Sequence, residues 1–261
     1  MRVTIITVCH NSQRYIDKTI ESVLIQTHPD LEYVIVDGGS TDGTVEIIRR
    51  YAEADSRIIW RSEADRGIAD AMNKGVSLAT GEVVAHINSD DFYAHPLVVA
   101  RMAEIFSNNA KVGWVSGGFN FVADDGTFIR KIRARRYSFR RLIRGNILLH
   151  PATFTRRTLF DKAGGFDLAL RYCMDYDLFL RLGAITSPLM LDEQLACFRI
   201  HAASRSVSEA EQAYAEEFKV RMNYLKSNGR STIYYQLDHQ IKRHLNRLFY
   251  NGLLRSALDR R

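Results

Sequence analysis

Over residues 3–87, short β-branched runs alternate with stretches of helical apolar spacing, and this pattern limits the possible folds more than any other feature of the chain. Val3 to Val8 is almost wholly apolar, as a strand covered on both faces must be. From Ser12 to Gln26, residues Ile16, Ile20, Val23 and Leu24 fall at helical spacing, with Asn11 or Ser12 placed as N-cap. Leu31 to Val36 predicts a second strand, closed by Gly38 and Gly39. A helix over Thr44 to Ala54, a strand over Ile58 to Trp60, a helix over Ile68 to Ala79 and a strand over Val83 to Ile87 continue the series. Parallel neighbours need a long crossover, and helices of this length supply it, so the expected class is α/β, with a mostly parallel sheet flanked by helices.

The second half is less regular. Val112 to Val122 predicts one or two strands, and Asp124-Asp125-Gly126 has hairpin-turn chemistry before Phe128 and Ile129. Helices are expected over Ser138 to Arg144, Arg157 to Ala163 and Tyr176 to Leu182, with Gly164-Gly165 as a stop. From Val207 the composition is helical. There Ile241, Leu245, Leu248, Phe249 and Leu253 form an apolar stripe beside Lys242, Arg243, Arg247 and Arg255, suited to a lipid surface or a second copy of the chain.

No apolar run reaches the roughly 18 residues a membrane-spanning helix needs, and the N-terminus lacks a charged leader. Cys9, Cys173 and Cys197 are scattered, which suggests neither a disulfide framework nor a zinc site and fits a reducing compartment. The net charge of +6 is concentrated. Arg130, Lys131, Arg133, Arg135, Arg136, Arg140, Arg141 and Arg144 follow one another without an intervening acid, which points to nucleic acid, acidic lipid or a phosphorylated substrate as partner, or else to a solvated basic face.

Ligands of open parallel sheets bind at the carboxyl ends of the strands. Acids stand at three such ends: Asp37 at the second, Asp65 after the third, and Asn88-Ser89-Asp90-Asp91 at the fourth. The glycine-rich stretch Gly38 to Gly43 has neither Gly-x-Gly-x-x-Gly order nor a Gly-Lys-Ser/Thr ending, so it is no dinucleotide fingerprint or P-loop. Without a phosphate-holding lysine, a divalent ion on carboxylates is the natural countercharge, and hard oxygen ligands suit Mg2+ or Mn2+.

Four segments then occur in order: Val34-Ile-Val-Asp-Gly-Gly-Ser-Thr-Asp-Gly-Thr44, Asp65-Arg-Gly-Ile-Ala-Asp-Ala-Met-Asn-Lys-Gly75, Asn88-Ser-Asp-Asp91 and Asp175-Tyr-Asp-Leu-Phe-Leu-Arg-Leu182. Together they resemble the inverting glycosyltransferase family 2, with its GT-A nucleotide-sugar fold, over about residues 2–206. The resemblance implies a GT-A domain over residues 1–206 and a helical extension over 207–261 that contacts a membrane surface or a second copy. It implies a donor pocket lined by Thr7, Asn11, Asp37, Asp65, Asn88 and Asp90. Asp90 and His201, in Phe198-Arg-Ile-His201, would hold Mn2+ or Mg2+, Asp175 would be the general base, and Asp91, His150 and Tyr176 would lie on the acceptor side. Plainer roles stand beside these: Asp175 as a helix N-cap, His201 as a structural histidine. The sequence departs from the family where Gly38 replaces a second aspartate, Asn88 a carboxylate and Met174 a glutamate, and it lacks the Gln-x-x-Arg-Trp motif of processive synthases.

The implied activity is transfer of one sugar, with inversion, from a UDP-, GDP- or dTDP-sugar to a hydroxyl of a glycan or a polyprenyl-diphosphate-linked acceptor, in bacterial surface-polysaccharide or lipopolysaccharide assembly. The place would be the cytoplasm, peripherally at the inner membrane face, as monomer or homodimer and without a nucleic-acid partner. The competing readings are a nucleotide-sugar-binding protein without turnover and a basic nucleic-acid-binding module.

Overall fold

The computed structural model describes residues 1–201, 204 and 209–238. Its first half follows the expected alternation. Strand β1 (Val3–Cys9) leads through helix α1 (Ile16–Leu24) to β2 (Leu31–Asp37), then α2 (Thr44–Ala54), β3 (Ile58–Ser62), α3 (Ile68–Leu78) and β4 (Val83–His86). The remainder adds β5 (Phe92–Tyr93), α4 (Val98–Asn108), β6 (Trp114–Val122), β7 (Phe128–Ile132), α5 (Phe139–Arg144), β8 (Thr153–Arg156), α6 (Arg157–Ala163), α7 (Met174–Ile185), β9 (Leu189–Arg199) and α8 (Ala210–Ser227).

All these strands join one sheet in the order β3-β2-β1-β4-β8-β6-β9-β5, with β7 paired to β6 alone. Strands β1 to β4 are mutually parallel neighbours, while β8, β7 and β5 run antiparallel to theirs, so the sheet is mixed and mostly parallel in its first half. Alternation along β1 and β2 serves two cores. Val3, Ile5 and Ile35 pack with Ile16, Ile20 and Val23 of α1 and Met102 and Phe106 of α4. Ile6, Val34 and Val36 face the other way, onto Met72 and Val76 of α3, Phe179 of α7 and Leu225 of α8. Emptying one such aromatic site, as in Phe179→Ala, costs about 3–5 kcal/mol.

Three departures from the sequence reading have physical causes. Helix α1 starts at Ile16, because Asn11 takes a left-handed backbone (φ 49°) and Ser12 turns its hydroxyl to Ser89 at 2.9 Å instead of capping. Helix α4 lacks a side-chain cap and so any starting signal. Helix α8 is more than an appendage, since it buries Val220, Met222 and Leu225 in the same core as α7. The apolar stripe from Ile241 to Leu253 lies outside the described residues. Among the described residues, no helix is long and apolar enough to cross a membrane, and the three cysteines are free and buried.

Candidate active site

The carboxyl ends of β1, β2 and β4 are clasped by hydrogen bonds between their loops. Asn11 donates its backbone N–H to Ser40 Oγ (2.7 Å) and accepts from the Thr41 N–H (2.9 Å). Ser12 N–H donates to Thr44 Oγ1 (2.8 Å), and Ser12 and Ser89 share a hydroxyl contact. The left-handed Asn11 makes this possible, since asparagine tolerates that conformation better than most side chains.

Asp37, at the end of β2, is fully buried. It accepts from the Gly39 and Ser40 N–H groups (3.1 and 2.9 Å), from Ser62 Oγ (2.6 Å) and from Ser40 Oγ. Burial pushes this carboxyl up, and the donors from Ser40, Ser62 and Cys9 outweigh it, holding it below the ordinary carboxylate value. Asp37 therefore shapes the loop, and a donor group reaches it only by displacing a serine hydroxyl. Asp65 accepts from the Gly67 N–H (2.7 Å), and its other oxygen fills the space beside Gly38, where a Cβ would collide with it. The missing second aspartate is thus replaced in space by Asp65. Thr7, by contrast, is wholly buried and receives the Tyr33 hydroxyl (3.0 Å), so it does not line a pocket.

Beyond β4, Asp90 and Asp91 part company. Asp91 is 1% exposed and accepts from the Arg199 N–H (3.0 Å) and from Asn88 Nδ2 (2.8 Å). Burial and the adjacent Asp90 charge push its carboxyl well above the ordinary value. Asp90 stays half-exposed, with Oδ2 2.9 Å from His201 Nε2. The His201 ring lies against Tyr15 (4.6 Å), and its buried Nδ1 has no hydrogen-bond partner among the described residues. Cis ligands about 2.1 Å from one octahedral ion are about 3 Å apart, so this oxygen and nitrogen fit a shared Mg2+ or Mn2+. Among the described residues no cluster of three or more candidate ligands exists.

Sequence reasoning missed the residue that holds this corner together. Arg199, 5% exposed, donates through Nε to the Asp90 carbonyl (2.9 Å) and through Nη1 to the Asp124 carbonyl (2.5 Å), and lies over the rings of Tyr15 and Phe92. Tyr15 in turn donates its phenol to Asp124 (2.5 Å). Its only trace in the sequence is its place two residues before His201.

Asp175 stands in the first turn of α7, half-buried, accepting from its neighbour's N–H at Tyr176 (2.7 Å) and from Asn146 Nδ2 (3.4 Å). Burial raises its carboxyl to about 6. A carboxyl at that value is ionised above pH 6 and can take up a proton near neutrality. Asp175 has no hydrogen bond to Asp37 or Asp90. They are related through packing instead: His86, on the strand leading to Asp90, lies 5.0 Å from His150, and His150 lies 6.2 Å from Phe179, one turn beyond Asp175. His150 and Tyr176, expected beside the acceptor, are interior residues. His150 is enclosed by His86, Phe166 and Phe179, and burial pushes its imidazole down to about 4. Tyr176 is 1% exposed and gives its phenol to the carbonyls of Leu142 and Ile143, tying α5 to α7.

Comparison with known proteins places these features in context. Residues 4–163 match the model described as glycosyl transferase family 2. An uncharacterized glycosyltransferase of Nostoc sp. is 32% identical over 230 residues, covering 84% of this chain and 71% of that one. A PGL/p-HBAD biosynthesis glycosyltransferase of Mycobacterium bovis is 33% identical over 163 residues, 62% of each. Among solved structures, S. aureus TarS 1–349 in complex with UDP-GlcNAc superposes with a TM-score of 0.67 at 19% identity, over 86% of this chain and 66% of that one. The mannosyltransferase PcManGT from Pyrobaculum calidifontis, in complex with GDP-Man and Mn2+, gives 0.68 at 21%, over 85% and 64%. At these identities the likeness carries the GT-A fold alone, and the chain spans only about two thirds of the length of those solved chains.

Proposed function

The chain belongs to glycosyltransferase family 2, and from that premise we propose that it moves a sugar, with inversion, from a nucleoside diphosphate to a hydroxyl of a glycan or polyprenyl-diphosphate-linked acceptor. The clasp of Asn11, Asp37, Asp65 and Asn88 would hold the nucleoside. Asp90 and His201 would hold the divalent ion, which when bound supplies countercharge to the departing diphosphate without a proton. Asp175 accepts the proton of the attacking hydroxyl from the opposite face, so that a single displacement inverts the anomeric centre. Surface-polysaccharide or lipopolysaccharide assembly at the inner membrane face is the setting this reading favours.

The observation that carries the proposal is the meeting of Asp90 and His201 at 2.9 Å, at the carboxyl strand ends where open parallel sheets bind ligands. The second reading, binding without turnover, draws on Asn88, which brings no charge to the cation and spends its amide on Asp91. The test is a thermal-shift panel of UDP, GDP and dTDP with and without Mn2+, followed by diphosphate release from the matching nucleotide sugars by wild type and Asp175→Asn. A Mn2+-dependent shift with release lost in the variant supports transfer. A shift with equal release in both proteins removes Asp175 from its role, and no shift with any diphosphate removes the donor site.

A further inference from the structure

We propose that the β6–β7 hairpin and the stretch running into α5 form a docking surface for a bilayer containing anionic lipid. Arg130 and Lys131 on β7, Arg133, Arg135 and Arg136 after it, and Arg140 and Arg141 on α5 are all exposed. Among the described residues none of them is paired with a carboxylate. Arg130 lies over the ring of Phe121, and Arg141 donates to the Arg136 carbonyl. At the start of the same ribbon, Phe128 and Ile129 are 60% and 52% exposed on an edge strand. Unneutralised cations beside exposed apolar side chains match the boundary between lipid headgroups and acyl chains. A nucleic acid would engage the arginines equally but gives Ile129 no partner, so the bilayer accounts for more of the surface. The ribbon is also anchored at both ends near the candidate site. Asp124 is bound by Tyr15 and Arg199, and Asn146 reaches Asp175. A membrane held there brings a lipid-borne hydroxyl to the side of the base.

Vesicle co-sedimentation tests this without turnover. Binding is expected to phosphatidylcholine vesicles that contain phosphatidylglycerol, to weaken about tenfold or more from low to high salt, and to be lost in Arg135→Glu/Arg136→Glu/Arg140→Glu. Phe128→Ser/Ile129→Ser is expected to weaken binding while leaving its salt dependence. Because these side chains are exposed, the melting temperatures stay near wild type. Equal binding to neutral and anionic vesicles, no binding to either, or duplex RNA displacing the protein from vesicles each overturns the proposal.

A second, independent observation concerns α8. We infer that Glu216 is a positioning residue for Asp175, an inference that rests on the reading of Asp175 as base. Helix α7 begins at Met174 without a side-chain cap of its own. Instead, the Glu216 carboxylate receives the backbone N–H groups of Arg171 (3.0 Å), Tyr172 (2.6 Å) and Cys173 (2.8 Å). Cys173 Sγ also donates to the Ala213 carbonyl (3.3 Å), and the Tyr172 phenol meets Glu209. A carboxylate on a helix later in the chain thus pins the three residues that lead into α7. The charge of Glu217, itself paired with Arg221, adds to the rise of the Asp175 carboxyl, and Asp175 in turn raises the Cys173 thiol.

The readout is the titration midpoint of Asp175 by 13C-carboxyl NMR, together with diphosphate release from the donor that the thermal-shift panel selects. In Glu216→Ala the midpoint is expected to fall from about 6 by about one pH unit as water enters, and the turnover number about tenfold with donor KM within about twofold; Glu216→Gln restores part of both. An unchanged midpoint and turnover in a folded Glu216→Ala overturn the inference. Full activity of Asp175→Asn would instead refute the base itself, and the midpoint in Glu216→Ala still decides whether the clamp exists.

Discussion

Replacing Asp175 with asparagine is expected to stabilise the protein while abolishing turnover, and the stability gain has a calculable pH dependence. Burial raises this carboxyl from 3.8 to about 6, so ionising it is harder in the folded chain than in the unfolded one by about 3 kcal/mol, or about 2 kcal/mol after allowing for its half-exposed oxygen. The sign follows from the raised value. Below pH 3.8 both states carry the proton and no penalty exists. As pH rises through 6 the folded state must ionise against its surroundings, and the stability provided by the protonated form is lost. The amide keeps an acceptor for the Tyr176 N–H and never ionises. Asp175→Asn is thus expected to match wild type near pH 4 and to exceed it at pH 8 by about 2 kcal/mol, roughly 4–8 °C in melting temperature for a chain of this size. Parallel urea melts across this range measure the difference directly, and the other titrating groups cancel between the two proteins. A difference that does not change with pH, or a wild type more stable than the variant at pH 8, would refute the argument.

Three further outcomes follow from the site. Gly38→Asp places a carboxylate against Asp65, so nucleoside diphosphate affinity, measured by calorimetry, should drop about tenfold with little change in apo stability. Arg199→Lys cannot reach the Asp90 and Asp124 carbonyls together, and should lose about 2–4 kcal/mol in denaturant melts. His201→Ala should abolish the extra thermal shift that Mn2+ adds to nucleoside diphosphate, leaving the shift by nucleotide alone within about 1 °C of wild type.

How far the sequence foretold these features depended on the range of the interactions involved. Strands β1, β2 and β4 and helices α2 and α3 were legible because each is a local pattern of apolar spacing. Helix α4 and the long β9 were not: the first has no cap signal, and the second owes its existence to pairing with β6 and β5 far away in the chain. At the site, motif similarity gave both Asp90 and Asp91 a place, but only the fold decides that one stays partly exposed beside His201 and its neighbour is sealed beneath Arg199. The same blindness to burial assigned Thr7 to the donor pocket and His150 and Tyr176 to the acceptor side, although all three are buried. Gly38 is intelligible only once Asp65 is seen occupying the space a side chain would need.

The buried thiols of this chain amount to a set of built-in reporters. Cys9 lies beneath the loops after β1 and β2, 3.6 Å from Asp37; Cys173 is shut in by α8; Cys197 sits on β9 facing Phe92 of β5. Burial pushes all three thiols up, so each is unreactive until its own region opens. Alkylation followed by peptide mass spectrometry would then clock the breathing of those loops, the α7–α8 contact and the sheet separately, in the unmodified sequence.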